Sequence, residues 1–299
     1  MEWTETLKRA VAYLEEHLLE EGAAEKAAEA AHLSPFYLQK GFKLVTGYSM
    51  GEYVRNRRLY LAGLEVIAGR EKIIDLAYRY GYDTPESFSK AFHRFHGVSP
   101  AQLRQSPERL VPFLPLRITL SIRGGQGMDF IVEKMDGWRI IGVEREFSMD
   151  SSYREIPKFW DEFISTHCVP LWEGKKPETA QEKAIYDYNI GEYGVCIDEG
   201  TPDGRFRYLI AGKFDGQEVP EGLTVYDFPA LEWAKFRCSG PMPESLQSVN
   251  TKIFQEWLPG NPDYEIARGF NIEWYSMEKD TSAPDYESGI WIPVKRRMV

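Results

Sequence analysis

The chain has 299 residues, 43% of them hydrophobic, and a formal net charge of −10. That length accommodates two domains of ordinary size, and no run approaches the roughly 18 consecutive apolar residues of a membrane span. Three cysteines and five histidines at wide spacing argue against a disulfide framework or a metal-ligand motif, so no metal and no cofactor is expected.

The opening stretch, "MEWTETLKRAV", lacks the basic-then-apolar layout of a signal peptide, and the odd cysteine count fits a reducing compartment. A cytoplasmic protein is expected. Charge is unevenly divided. Residues 1–33 hold 3 basic and 8 acidic residues, residues 34–107 hold 11 and 6, and residues 108–299 hold 22 and 32. A basic segment inside an acidic chain suggests a surface for a polyanion beside a part with another task.

The chain matches itself when shifted by 50 residues. Ser34 falls on Thr84, Pro35 on Pro85, Lys40 on Lys90, Phe42 on Phe92, Gly47 on Gly97 and Ser49 on Ser99. Each copy reads as a short helix, a turn, a capped helix and a glycine stop, the layout of a helix-turn-helix unit. In the second copy Thr84 is the expected N-cap, with Pro85 at the first helical position. Phe88, Phe92 and Phe95 recur at helical spacing as a core stripe, and Leu38 and Phe42 do the same in the first copy. Between the copies, "GEYVRNRRLYLAGLEVIAG" reads as one long helix ending near Gly69. Two recognition helices held on such a spacer can enter successive major grooves, about 34 Å apart.

The segment "KIIDLAYRYGYDTPESFSKAFHRFHGVSPAQLR" resembles the DNA-binding domain of AraC/XylS-type transcription regulators, and the resemblance covers about residues 4–106. It implies a regulator that binds double-stranded promoter DNA, with RNA polymerase as a partner. Carried over by position, the family pattern turns Phe36, Gln39 and Lys40 of the first recognition helix, and Glu86, Lys90 and His93 of the second, toward the bases. Those chemistries suit thymine methyls, adenine edges, guanine or phosphate, and cytosine N4. Arg55, Arg57, Arg58 and Arg94 are expected on phosphates or in solvent.

Pro107, Pro112 and Pro115 followed by Gly124, Gly125 and Gly127 mark a linker over residues 107–126, in which "LRITLSI" is an edge strand or an ordered connection. The domains are therefore drawn as 1–106, an all-α double helix-turn-helix, and 127–299, an α+β domain. "GGQG" lacks the following lysine and helix of a phosphate loop. "FIVEKMDGWRIIGVEREF" reads as strand, turn, strand. "SYREIPKFWDEFIST" is a helix with Ile156, Phe159, Trp160 and Phe163 on one face. "EYGVCID" and "FRYLIAGKF" are strands. The same order returns in "GLTVYDFPALEWAKFRCSG", "PESLQSVNTKIFQEWLPG", "GFNIEWYSM" and "GIWIPVKR". Two β-β-α-β-β copies imply a pseudo-twofold antiparallel sheet with both helices on one face and a groove on the other. Alternation puts Phe270, Ile272 and Trp274 on one face of their strand, expected under the helices, and Glu273 and Tyr275 on the other, expected in the groove.

These segments, with "FPALEWAKFRCSGP" and "NIEWYSME", resemble the gyrase-inhibitor-like effector-binding domain over about residues 127–297. The resemblance implies a small-molecule effector, hydrophobic and cationic or amphipathic, held by Glu273, with Tyr275, Trp233, Tyr193 and Trp291 around it. The alternative for Glu273 is an ion pair with Lys235 or Arg237. Two other functions compete with a regulator. A few relatives of this fold hydrolyse reactive compounds with a groove Glu and Tyr, and a sequestering protein would need no DNA at all.

Overall fold

A computed structural model describes residues 3–118, 128–149, 151–201 and 204–297. Contacts divide the chain into two compact units, one of Thr4–Leu33 and Leu38–Leu120, the other of Met1–Trp3, Ser34–Tyr37 and Ser121–Val299.

Among the described residues up to 105, seven helices follow one another: α1 (Trp3–Glu16), α2 (Ala23–Ala30), α3 (Pro35–Thr46), α4 (Met50–Ala68), α5 (Ile73–Arg79), α6 (Pro85–His96) and α7 (Pro100–Gln105). The pairs α2–α3 and α5–α6 are the two repeat copies. Thr84 caps α6 by accepting from the Ser87 N–H, and Pro85 opens the helix. Gly47 and Gly97 end α3 and α6 in the left-handed region, with φ of 81° and 74°, where a side chain would be strained. Reciprocal capping boxes start α4 and α7, Ser49 with Glu52 and Ser99 with Gln102. Leu38, Phe42, Phe88 and Phe92 are fully buried as the stripes predict, and Phe95 is half-buried.

Two of the four arginines expected on phosphates or in solvent are instead structural. Arg57 is buried, and its Nε and Nη2 both donate to Glu15 at 2.8 Å. Arg58 donates to the carbonyls of Leu18 and Glu20, beyond the end of α1. Helix α4 runs through the middle of its unit, so cations on its inner side meet carboxylates and unpaired carbonyls instead of solvent. Arg55 and Arg94 are exposed.

The expected linker is described only in part. After a 3-10 turn at Pro107–Arg109, residues 110–118 carry no helix or strand but stay against the helices. Thr119–Ile122 of "LRITLSI", and the glycines at 124, 125 and 127, lie outside the described residues.

The second unit is built on strands β1 (Phe130–Met135), β2 (Trp138–Ser148), β3 (Tyr193–Ile197), β4 (Arg205–Phe214), β5 (Thr224–Phe228), β6 (Leu231–Ser239), β7 (Tyr264–Ile266), β8 (Phe270–Tyr275) and β9 (Glu287–Arg296). Helix α8 (Ser152–Phe163) follows β2, α9 (Val169–Trp172) and α10 (Ala180–Asp187) precede β3, and α11 (Glu244–Lys252) follows β6. The sheet order is β1-β6-β9-β8-β3-β4-β2-β5, with β7 on β9 and every pairing antiparallel. This order reads the same from both ends when β1–β4 are exchanged with β5, β6, β8 and β9. A pseudo-twofold axis therefore passes between β3 and β8. The two expected strand-turn-strand units are present, but β1 pairs with β6 and β5 with β2. Each copy lends its first strand to the other, which interlocks the halves.

Candidate functional site

Strand register decides which way Glu273 points. Directly opposed residues of antiparallel strands share a face. Phe236 opposes Ile290, Ile290 opposes Glu273, Glu273 opposes Gly194, Gly194 opposes Ile210, and Ile210 opposes Val143. This row faces the helices. At one end Phe236 packs on Trp257, in the turn after α11. At the other end Arg145, two residues from Val143, lies over the ring of Phe159 on α8. Glu273 therefore sits on the covered face. The expectation of an open groove for Glu273, with Phe270 and Ile272 under the helices, is reversed. Phe270 and Ile272 belong to the packed cluster on the opposite face. Alternation separates residues 273 and 272 correctly but does not say which of them the helices cover.

Around the partly buried Glu273 the polar geometry is specific. Tyr275 donates its hydroxyl to Glu273 Oε2 at 2.8 Å, and Tyr208 donates to the same oxygen at 3.4 Å. Trp160 of α8 donates its indole N–H to the Tyr208 hydroxyl at 2.9 Å, and its ring meets that of Tyr275 edge-on at 5.3 Å. Burial, and then the Glu273 charge, push both phenols well above the usual tyrosine range, so they stay protonated as donors. Gly194 makes room. A Cβ there would stand 2.2 Å from the Tyr208 hydroxyl and 3.4 Å from Glu273 Oε2. The result is a carboxylate ringed by aromatic side chains and hydrogen-bonded only by neutral donors among the described residues.

Neither basic partner considered for Glu273 reaches it. Lys235 pairs with Glu133 at 2.6 Å, and Arg237 pairs with Glu287. Of the expected aromatics, Tyr275 is at the site. Trp233, Tyr193 and Trp291 come together on the opposite face, in a cluster that includes Trp138, Phe228 and Phe270. No local signal in the sequence marks Trp160 or Tyr208 as a neighbour of Glu273. Helical spacing puts Trp160 on the apolar face of its helix, but the partner of its N–H depends on tertiary packing. Tyr208 lies one strand beyond the neighbour of Glu273, which only the strand order discloses.

The helix-turn-helix residues divide between the copies. Glu86, Lys90, His93 and Arg94 on α6 are exposed and make no ion pair or side-chain hydrogen bond among the described residues. Gln39 and Lys40 on α3 are half-buried. Phe36 is buried, at 4% exposure. Its ring lies 5.4 Å from Tyr37 and 5.3 Å from Phe206, and its N–H donates to Asp198, which also accepts from Ser34. Phe36 thus has an aromatic environment of its own here and does not present its ring outward as expected. Among the described residues no helix is long and apolar enough to cross a membrane, and no cluster of His, Cys, Asp or Glu is placed to hold a metal.

A family model described as integron-associated effector binding protein matches residues 131–294, and a helix-turn-helix domain model matches residues 27–106. The right origin-binding protein of Escherichia coli K12 is 32% identical over 209 residues, 67% of this chain and 70% of that protein. The regulatory protein SoxS of the same strain is 33% identical over 94 residues, 31% of this chain and 88% of SoxS. The solved structure of SAV2435 bound to tetraphenylphosphonium aligns with a TM-score of 0.45 and 19% identity, covering 56% of this chain and 94% of that one.

Proposed function

We propose how this chain works from the premise that it belongs to the integron-associated effector-binding protein family and carries an AraC-type helix-turn-helix domain, and so is a DNA-binding regulator with an effector-binding half. The effector is a hydrophobic cation, and its counter-ion is Glu273. One observation carries this reading: Glu273 is held by two phenols and, among the described residues, by no basic group. Neutral donors reach one of its oxygens, Oε2, and leave its charge uncompensated. A cation that brings little hydration of its own supplies the missing charge, and the rings of Trp160, Tyr208 and Tyr275 offer it π faces. On the DNA side, Gln39, Lys40, Glu86, Lys90 and His93 are the base- and phosphate-facing residues. The second copy supplies the exposed cations. Promoter DNA places the protein in the cytoplasm, with RNA polymerase as its working partner.

The test is calorimetry on the full-length protein with two probes of one shape and opposite charge, tetraphenylphosphonium and tetraphenylborate. The cation is expected to bind at least about tenfold tighter, and Glu273→Gln to lose about tenfold for the cation alone, equivalent to about 1.4 kcal/mol. Equal affinity for the two probes, or an unaltered Glu273→Gln variant, would reject the cation reading.

A further inference from the structure

The segment after α7 is held to the helical unit by more than chance contact. Pro112 and Pro115 rule out an α-helix over residues 110–116, so the backbone groups of this segment must find partners elsewhere. Three find them on side chains of the helices. The Val111 N–H donates to His96 Nδ1 at 3.2 Å, the Phe113 carbonyl accepts from Arg57 Nη1 at 2.6 Å, and the Leu116 N–H donates to the Tyr53 hydroxyl at 3.3 Å. Arg57 and Tyr53 are themselves bound by Glu15, so α1, α4 and this segment share one polar cluster. Leu110 lies over Gly63 in the middle of α4, where a Cβ would stand 2.6 Å from its methyl group.

The Phe113 ring is the centre of the arrangement. It meets Tyr48 at 5.3 Å and Tyr53 at 5.8 Å, and Phe95 at 6.2 Å. Tyr48 stands just after the first recognition helix, and Phe95 is in the last turn of the second. One ring therefore touches the exits of both repeat copies. Helix α4, about 28 Å long, sets how far apart the copies lie. A single helix does not by itself fix how each copy is rotated about it. We infer that residues 110–116 brace the two helix-turn-helix units against each other, with Phe113 as the positioning residue that sets their joint register on DNA. This rests on the reading that both recognition helices engage DNA at once. Held rigidly, the second copy binds at a high effective concentration once the first is seated. Loosened, it loses that advantage without losing any DNA contact of its own.

The experiment uses the full-length protein and the duplex that the wild type selects from a random pool. Four versions of this duplex are compared: intact, with one half scrambled, with the other half scrambled, and with about two base pairs inserted between the halves. Wild type is expected to lose at least about tenfold on insertion. Phe113→Ala should bind the intact duplex about tenfold more weakly, bind each half-scrambled duplex as wild type does, and lose no more than about twofold on insertion. Phe113→Leu, which keeps the segment packed but reaches less far, should fall between, and it replaces Phe113→Ala if that variant melts early. An unchanged insertion penalty in the variants, or an equal loss on half-scrambled duplexes, would overturn the brace. Wild type indifferent to scrambling one half would instead overturn the two-copy reading, and the brace with it.

Discussion

Glu273 and His96 show how the setting of a titratable side chain follows from its partners. Glu273 meets only hydroxyl donors among the described residues. His96 is buried at 5% exposure with both ring nitrogens used. Nδ1 accepts from the Val111 N–H, so Nε2 carries the proton and donates to the Leu59 carbonyl at 3.1 Å. Burial pushes its pKa down from the ordinary 6.5, against the opposing effect of the Leu59 carbonyl. The unfolded chain therefore takes up a proton at a pH where the folded chain resists it. The resulting stability is complete above pH 6.5 and is lost as pH falls through that value toward the lower folded one. The urea midpoint of the wild type should accordingly drop between about pH 8 and about pH 5.5 by more than that of His96→Gln. Parallel drops in the two proteins would assign the acid sensitivity to other groups.

Among the helices and strands, caps and prolines do most to set where each one begins and ends. In the sheet unit, α8 and α11 each continue into a π turn, Ile164–Cys168 after α8 and Ile253–Trp257 after α11. Each turn begins six residues before a proline, Pro170 and Pro259. Proline lacks an N–H and crowds the carbonyl a turn earlier, so the helix widens there in both copies. Helix α4 depends on its start. Ser49 Oγ accepts the Glu52 N–H at 3.1 Å, and Glu52 Oε2 accepts the Ser49 N–H at 2.8 Å. Ser49→Ala is expected to cost about 1 kcal/mol in urea unfolding, and Ser49→Gly only a few tenths by the usual ranking of N-caps. Equal losses for the two would mean that packing at this nearly buried residue, and not the cap, is what matters.

Across the whole molecule, the division of charge separates two kinds of binding. Residues 34–107 carry the basic excess and residues 108–299 the acidic one. DNA binding releases counter-ions, whereas a carboxylate and a cation meeting in a partly buried site are screened far less. With the full-length protein, raising salt from about 0.1 to about 0.3 M should weaken DNA binding at least tenfold and tetraphenylphosphonium binding by less than about threefold. Lys90→Ala should reduce the salt slope for DNA by about one and leave the cation unaffected. A slope unchanged by Lys90→Ala would remove that residue from the phosphate contacts. What the sequence by itself determined was everything written in local or periodic signals. These are the 50-residue repeat, the caps and glycine stops, the extent of α4, the strand order along the chain and the paired β-β-α-β-β plan. Tertiary structure alone decided four things: that the helices cover the Glu273 face, that β1 and β5 change places, that Arg57 turns inward to Glu15, and that Phe113 reaches both repeat copies. The reason is common to all four. Alternation along a strand distinguishes its two faces without naming the covered one, and a side chain's partner tens of residues away leaves no periodic trace in the chain.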